Sequence, residues 1–186
     1  IKLGPSEVSY FKKLCVLGDS NQSEAQAKAL KEIHRFRSYQ NKNPKEIEVY
    51  RYLEAWYYVA IREMSGLPDF QLDPKWIQTR LRSRVPIGKV KEAVEFLTER
   101  GYIELDDSGK VVKPDKSLDC RDGVYRVAYA SYLKQIFDLA GQAYEASPKG
   151  SRRIDAIAIR VSKSERDKIH DLIQKTMDEI ANILSK

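Results

Sequence analysis

Between Pro86 and Val112 the sequence carries the pattern that most restricts how this chain folds. From Pro86, a residue suited to the first helical turn, Val90, Ala93, Val94 and Leu97 recur on one helical face, with Phe96 at its margin. Gly101 supplies the stop, since a left-handed residue commonly ends a helix and glycine takes that conformation without a steric penalty. Tyr102, Ile103 and Leu105 then read as a strand. The turn DDSGK, Asp106 to Lys110, returns the chain to a second strand at Val111 and Val112.

A shorter helix precedes this unit. Asp73 caps it, Pro74 fills its first turn where no backbone donor is lost, and Trp76, Ile77 and Leu81 form its buried stripe. Helix, turn, helix and β-hairpin is the order of a winged helix-turn-helix. In that geometry the start of the second helix meets base edges while the preceding helix and the turn lie near the phosphate backbone. Between Asp73 and Glu92 the cations Lys75, Arg80, Arg82, Arg84, Lys89 and Lys91 stand against only those two acids. The pattern predicts contact with double-stranded DNA through these six and Ser83, with Lys110 and Lys113 of the wing holding phosphates. A net charge of +6 is in keeping with a polyanionic partner.

The same helix also argues the other way. Glu92, Glu95 and Glu99 add a negative face, and Asp106 and Asp107 sit in the wing turn. Carboxylates near a duplex mostly repel it, and a fold does not fix a function. A protein-interaction adaptor or dimerisation scaffold whose winged helix does not touch DNA is therefore the alternative.

Around this core the periodicity adds helices. SEVSYFKKLCVLG reads as one, capped by Ser6 and closed by Gly18, and a second starts near Asn21 or Ser23 with Ala25, Ala29, Ile33 and Phe36 on one face. NKNPKE, Asn41 to Glu46, reads as a linker. In EVYRYLEAWYYVAIREMSGL, the residues Tyr50, Leu53, Trp56, Tyr57, Ala60, Ile61 and Met64 describe one core helix ended by Gly66 and Pro68. Aromatic helices can also stack nucleobases, but the helical spacing favours packing here.

After the wing, Val124 to Tyr144 predicts a long helix stopped by Ser147-Pro148. RRIDAIAIRV, rich in β-branched residues, predicts a strand over Arg152–Val161. Its partner is the wing hairpin, the stretch near Ile47 to Val49, or the same strand of a second subunit. Ser162 and Glu165 have capping-box spacing, and Ile169, Leu172, Ile173, Met177, Ile180 and Leu184 form the stripe of a last amphipathic helix. That stripe either folds back on the core or makes a homodimer, through the helix of Ser162–Lys186 or the strand before it. The expected fold class is mainly α (α+β), a winged helix-turn-helix with added N-terminal helices and a C-terminal helix-strand-helix extension. The expected segments are 1–47, 48–118 and 119–186, with the last standing apart or packed with the rest as one unit.

Cys15 and Cys120 lie among apolar neighbours and read as buried thiols of a reducing compartment. No apolar stretch approaches the roughly 18 residues of a membrane span, and a cytoplasmic protein is expected. The chain opens on Ile1 and not on Met, which predicts a piece of a longer protein.

His34 and His170 are solitary helix residues without metal-site spacing, and read as solvated or half-buried. The phosphate-loop, dinucleotide and nucleophile-elbow patterns are missing, and Asp106-Asp107 reads as a turn former. The expectation is a protein that is not an enzyme and needs no cofactor or metal.

Five stretches carry a resemblance: SEVSYFKKLCVL near the start, EAWYYVAIREM at Glu54 to Met64, KVKEAVEFLTERGYIELDDSGKV at Lys89 to Val111, YLKQIFDLAGQAYE at Tyr132 to Glu145, and RRIDAIAIRVSKSERDKI at Arg152 to Ile169. Together they resemble a paralogous bacterial family of unknown function, expanded in predatory and fibre-degrading bacteria, with a winged-helix-like core. The resemblance implies a regulatory role, often with an additional amino-terminal segment. It transfers no ligand and no catalytic residue.

Overall fold

Local backbone constraints set most of the element ends. The computed structural model describes residues 3–20, 22–82, 84–107, 111–112, 123–146, 148 and 157–184. In chain order they form α1 (Pro5–Asp19), α2 (Ser23–Ile33), α3 (Arg37–Lys42), α4 (Pro44–Glu54), α5 (Trp56–Met64), α6 (Pro74–Arg80) and α7 (Ile87–Glu99). A two-stranded antiparallel sheet follows, β1 (Glu104–Leu105) with β2 (Val111–Val112), in the register Glu104 opposite Val112. Then come α8 (Gly123–Ala146) and α9 (Lys163–Leu184). The chain is mainly helical with one small sheet, as the sequence predicts.

Two compact units divide it, Ile1–Glu145 and Ala146–Lys186. The first holds α1 to α7, the hairpin and all but the last residue of α8. Its core gathers Tyr58 and Ile61 of α5, Ile77 of α6, Leu81 and Val85 of the following turn, and Val90, Ala93, Phe96 and Leu97 of α7. Burying each of the larger side chains contributes about 1.5–3 kcal/mol. Phe96, expected at the margin of its helix, is 3% exposed and lies inside this cluster. It packs edge-on against Tyr58 and beside Tyr102, and the Arg51 guanidinium lies over its ring at 4.8 Å.

Several expectations are corrected. The aromatic run is two helices, not one, because Ala55 is extended (φ −139°, ψ 133°) and separates α4 from α5. Apolar phase carries across the break, so periodicity alone reads it as continuous. Residues 41–46 are not a linker: only Asn43 separates α3 from α4, and Pro44 opens the second helix where its missing N–H costs nothing. Asn43 donates its side-chain amide to the Tyr39 carbonyl at 3.2 Å, and the Tyr39 hydroxyl donates to Glu46 across the joint. Turn-forming residues here serve as helix ends.

At the start, Gly4 and not Ser6 is the cap of α1; its N–H donates to Glu7 Oε2 at 2.8 Å. Gly18 lies within α1, and Cys15 is exposed on a helix that buries none of its residues. Cys120 lies outside the described residues. The second helix stops at Ile33, so Phe36 lies beyond it and caps α3, edge-on to Tyr10 at 5.1 Å.

The first hairpin strand is shorter than expected. Tyr102 and Ile103 are buried, but both their amides donate to the Leu97 carbonyl, at 2.8 and 3.1 Å, closing the end of α7 instead of extending the ladder. Gly101 makes this possible at φ +67°. The turn residues 108–110 lie outside the described residues. The strand expected over 152–161 is not formed at 157–161, where Ile157, Ile159 and Val161 are exposed and irregular; 152–156 lie outside the described residues. One of its three suggested partners, Ile47 to Val49, is part of α4.

The second unit contains α9. Ser162 Oγ accepts the Glu165 amide at 3.3 Å, and Glu165 Oε2 accepts the Ser162 amide at 2.7 Å, the reciprocal cap that the spacing predicts. Leu172, Ile173, Met177 and Ile180 are exposed along it. Among the described residues no helix is long and apolar enough to cross a membrane.

Candidate nucleic-acid interface

The sequence fixes the start of α6 tightly. Asp73 accepts the Trp76 amide at 2.9 Å and Pro74 follows in the first turn. Ile77 and Leu81 anchor the helix in the core, which leaves Lys75 and Arg80 exposed. The turn into α7 is held by backbone and side chain together: Arg82 donates its N–H to Thr79 O at 2.9 Å, and Gln78 Nε2 donates to Val85 O at 2.9 Å. Arg82 sits at φ +54°, the left-handed region that favours glycine.

The cations of this surface fall into two groups. Arg80 pairs with Asp69 and lies over the Trp76 ring at 4.7 Å. Lys89 Nζ pairs with Glu92 at 2.7 Å, one helical turn along, and this hydrogen bond holds the ammonium above its ordinary pKa. Lys75, Arg82 and Lys91 are exposed with no ion pair among the described residues. Arg84 is also exposed; among the described residues its guanidinium reaches only an amide oxygen, Gln142 Oε1 on α8, at 3.5 Å. Ser83, Lys110 and Lys113 lie outside the described residues. Lys89, expected to be available to a ligand, thus shares its charge with Glu92.

Arg80, Arg82 and Arg84 are brought together around one surface pocket, whose other walls include Trp56 and, from α8, Leu139 and Ala143. The contribution of α8 was not foreseen. A signal existed in its sequence: Gln135, Leu139 and Gln142 fall at four- and three-residue steps, placing two glutamines on one face with an apolar residue between them.

The histidines separate clearly. His170 is exposed. His34, expected to be solvated or half-buried, is 8% exposed between the rings of Tyr39 and Tyr50, with neither nitrogen hydrogen-bonded among the described residues. Burial lowers its pKa from 6.5 to about 4. Among the described residues no three His, Cys, Asp or Glu side chains converge as a metal site would require.

The description "Domain of unknown function (DUF4423)" matches residues 37–186. The chain belongs to the DUF4423 family. The matched DUF4423 region runs from α3 through α9 and so contains the turn, its arginines and α8; α1 and α2 precede it. This agrees with the expected membership of a family of unknown function. Comparison with curated proteins and with solved structures finds no match.

Proposed function

We propose that this DUF4423 protein is a DNA-binding regulator in which α6, the turn, α7 and the β1–β2 hairpin act as a winged helix-turn-helix. One observation carries the reading: Arg82, Arg84 and Lys91 are exposed on the turn and the first part of α7 with no acidic partner among the described residues, and Lys75 is the same on α6. Cations left unpaired at these positions release counterions on meeting phosphates, which drives binding. The pairing of Lys89 with Glu92, and the exposed Glu95 and Glu99 further along α7, confine the interface to the turn and the first two turns of that helix, where Lys91 remains. On this reading the protein works in the cytoplasm and is not an enzyme.

A mobility-shift titration against mixed genomic fragments at two salt concentrations tests it. Binding that weakens steeply with salt is expected. Absence of salt-sensitive binding transfers the assignment to the adaptor reading, which the exposed Leu172, Ile173, Met177 and Ile180 of α9 favour. On that second reading α9 is the surface of a homodimer or a partner protein, and light scattering of the full chain finds a dimer.

A further inference from the structure

The pocket beside the turn has a composition that a duplex alone does not account for. Trp56, Leu81, Leu139 and Ala143 give it apolar walls, and Arg80, Arg82 and Arg84 line the rest, the Arg80 guanidinium being engaged by Asp69 and the Trp76 ring. Among the described residues no carboxylate lines it. Arg82 has no ion pair among the described residues, and Arg84 has only the Gln142 amide at the limit of a hydrogen bond. Guanidinium forks match the geometry of carboxylate and phosphate oxygens, while an indole face and aliphatic side chains suit an apolar body. At 230 Å³ the space is smaller than the roughly 300–1,000 Å³ of a drug-sized site. It suits a compact metabolite-sized molecule.

We infer that this pocket binds a small organic oxyanion, a carboxylate or phosphate head on an apolar body, and that its occupant competes with DNA for Arg82 and Arg84. The competition rests on the DNA-binding reading; the pocket itself does not. Arg82 and Arg84 belong to both surfaces, so an anion held between them and α8 withdraws two cations from the duplex. By linkage the duplex weakens the small anion by the same factor that the anion weakens the duplex. The left-handed backbone at Arg82 supports a role for this side chain, since glycine would occupy that position without strain.

Titration calorimetry of the full chain at fixed ionic strength, with phenyl phosphate, benzoate and neutral benzamide, tests the pocket. Saturable binding of at least one of the two anions, and none of benzamide, is expected; which anion binds more tightly identifies the head group. Arg84→Gln weakens that binding by about tenfold or more, as loss of a charged hydrogen-bonding partner does. Ala143→Phe fills the apolar side and abolishes it while leaving duplex binding intact, and Lys91→Ala weakens duplex binding while leaving the anion untouched. Circular dichroism confirms that each variant is folded. No saturable binding of either anion, equal affinity in wild type and both pocket variants, or benzamide bound as tightly as the anions overturns the pocket. If the anion binds and no duplex does at any salt, the pocket stands and the competition falls with the DNA reading.

Discussion

Gln135 of α8 bridges the break between α4 and α5. Its Oε1 accepts the Trp56 amide at 3.0 Å and its Nε2 donates to the Glu54 carbonyl at 3.2 Å, so one side chain partners two backbone groups that the extended Ala55 leaves open. The two helices can therefore change direction without leaving those polar groups unpaired.

Removing that amide is predicted to cost about 2 kcal/mol, the net worth of two hydrogen bonds at this partly buried site. Gln135→Leu retains most of the volume and isolates the loss of bonding. Urea unfolding of wild type and variant measures it. A midpoint unchanged by Gln135→Leu contradicts the role assigned to this residue.

Acid sensitivity follows from His34. The folded chain holds its imidazole neutral down to about pH 4, whereas in the unfolded chain it titrates near 6.5. Between those values the unfolded state carries the extra proton, so this contribution to stability is complete above about pH 6.5 and declines as the pH falls toward 4. The full loss is about 3 kcal/mol. His34→Phe keeps an aromatic ring between Tyr39 and Tyr50 and removes the titration. The difference in unfolding free energy between pH 7.5 and pH 5 is therefore smaller in the variant; an identical pH dependence would falsify the assignment.

Arg82 separates stability from binding. Its φ of +54° carries a steric cost that glycine avoids, so Arg82→Gly raises stability by up to about 1 kcal/mol, offset in part by the greater freedom of the unfolded chain. The same change removes an exposed cation from the proposed interface and weakens duplex binding. Thermal unfolding and a binding titration on one preparation test both halves. A variant that is markedly less stable, or that binds DNA as tightly as wild type, contradicts this account of the turn.

The parts of the fold that were legible in the sequence are those that neighbouring residues decide. Asp73 with Pro74, Gly101, and Ser162 with Glu165 act within three or four positions, and each does in the structure what its spacing predicts. The features that escaped depend on distant partners. Ala55 breaks a helix whose open backbone groups are met by a residue 79 positions from Trp56, and no local pattern announces it. Tyr102 and Ile103 look like strand residues, yet their amides are drawn to Leu97 because the chain must first close α7. The basic residues of the turn were legible as a cluster. Which of them are paired depended on Asp69 and Glu92 reaching Arg80 and Lys89, and the pocket depended on where α8 lies.

The central claim is that unpaired cations at the turn and the start of α7 bind duplex phosphates. The slope of log Kobs against log salt concentration for a random-sequence duplex measures it, in wild type and in the combined Arg82→Ala, Arg84→Ala, Lys91→Ala variant. Each phosphate contact contributes about 0.9 to that slope, so the account predicts a variant slope shallower by about 2 to 3, with binding weakened across all sequences. A slope that is the same in both proteins, or a wild-type protein whose duplex binding does not respond to salt, contradicts it.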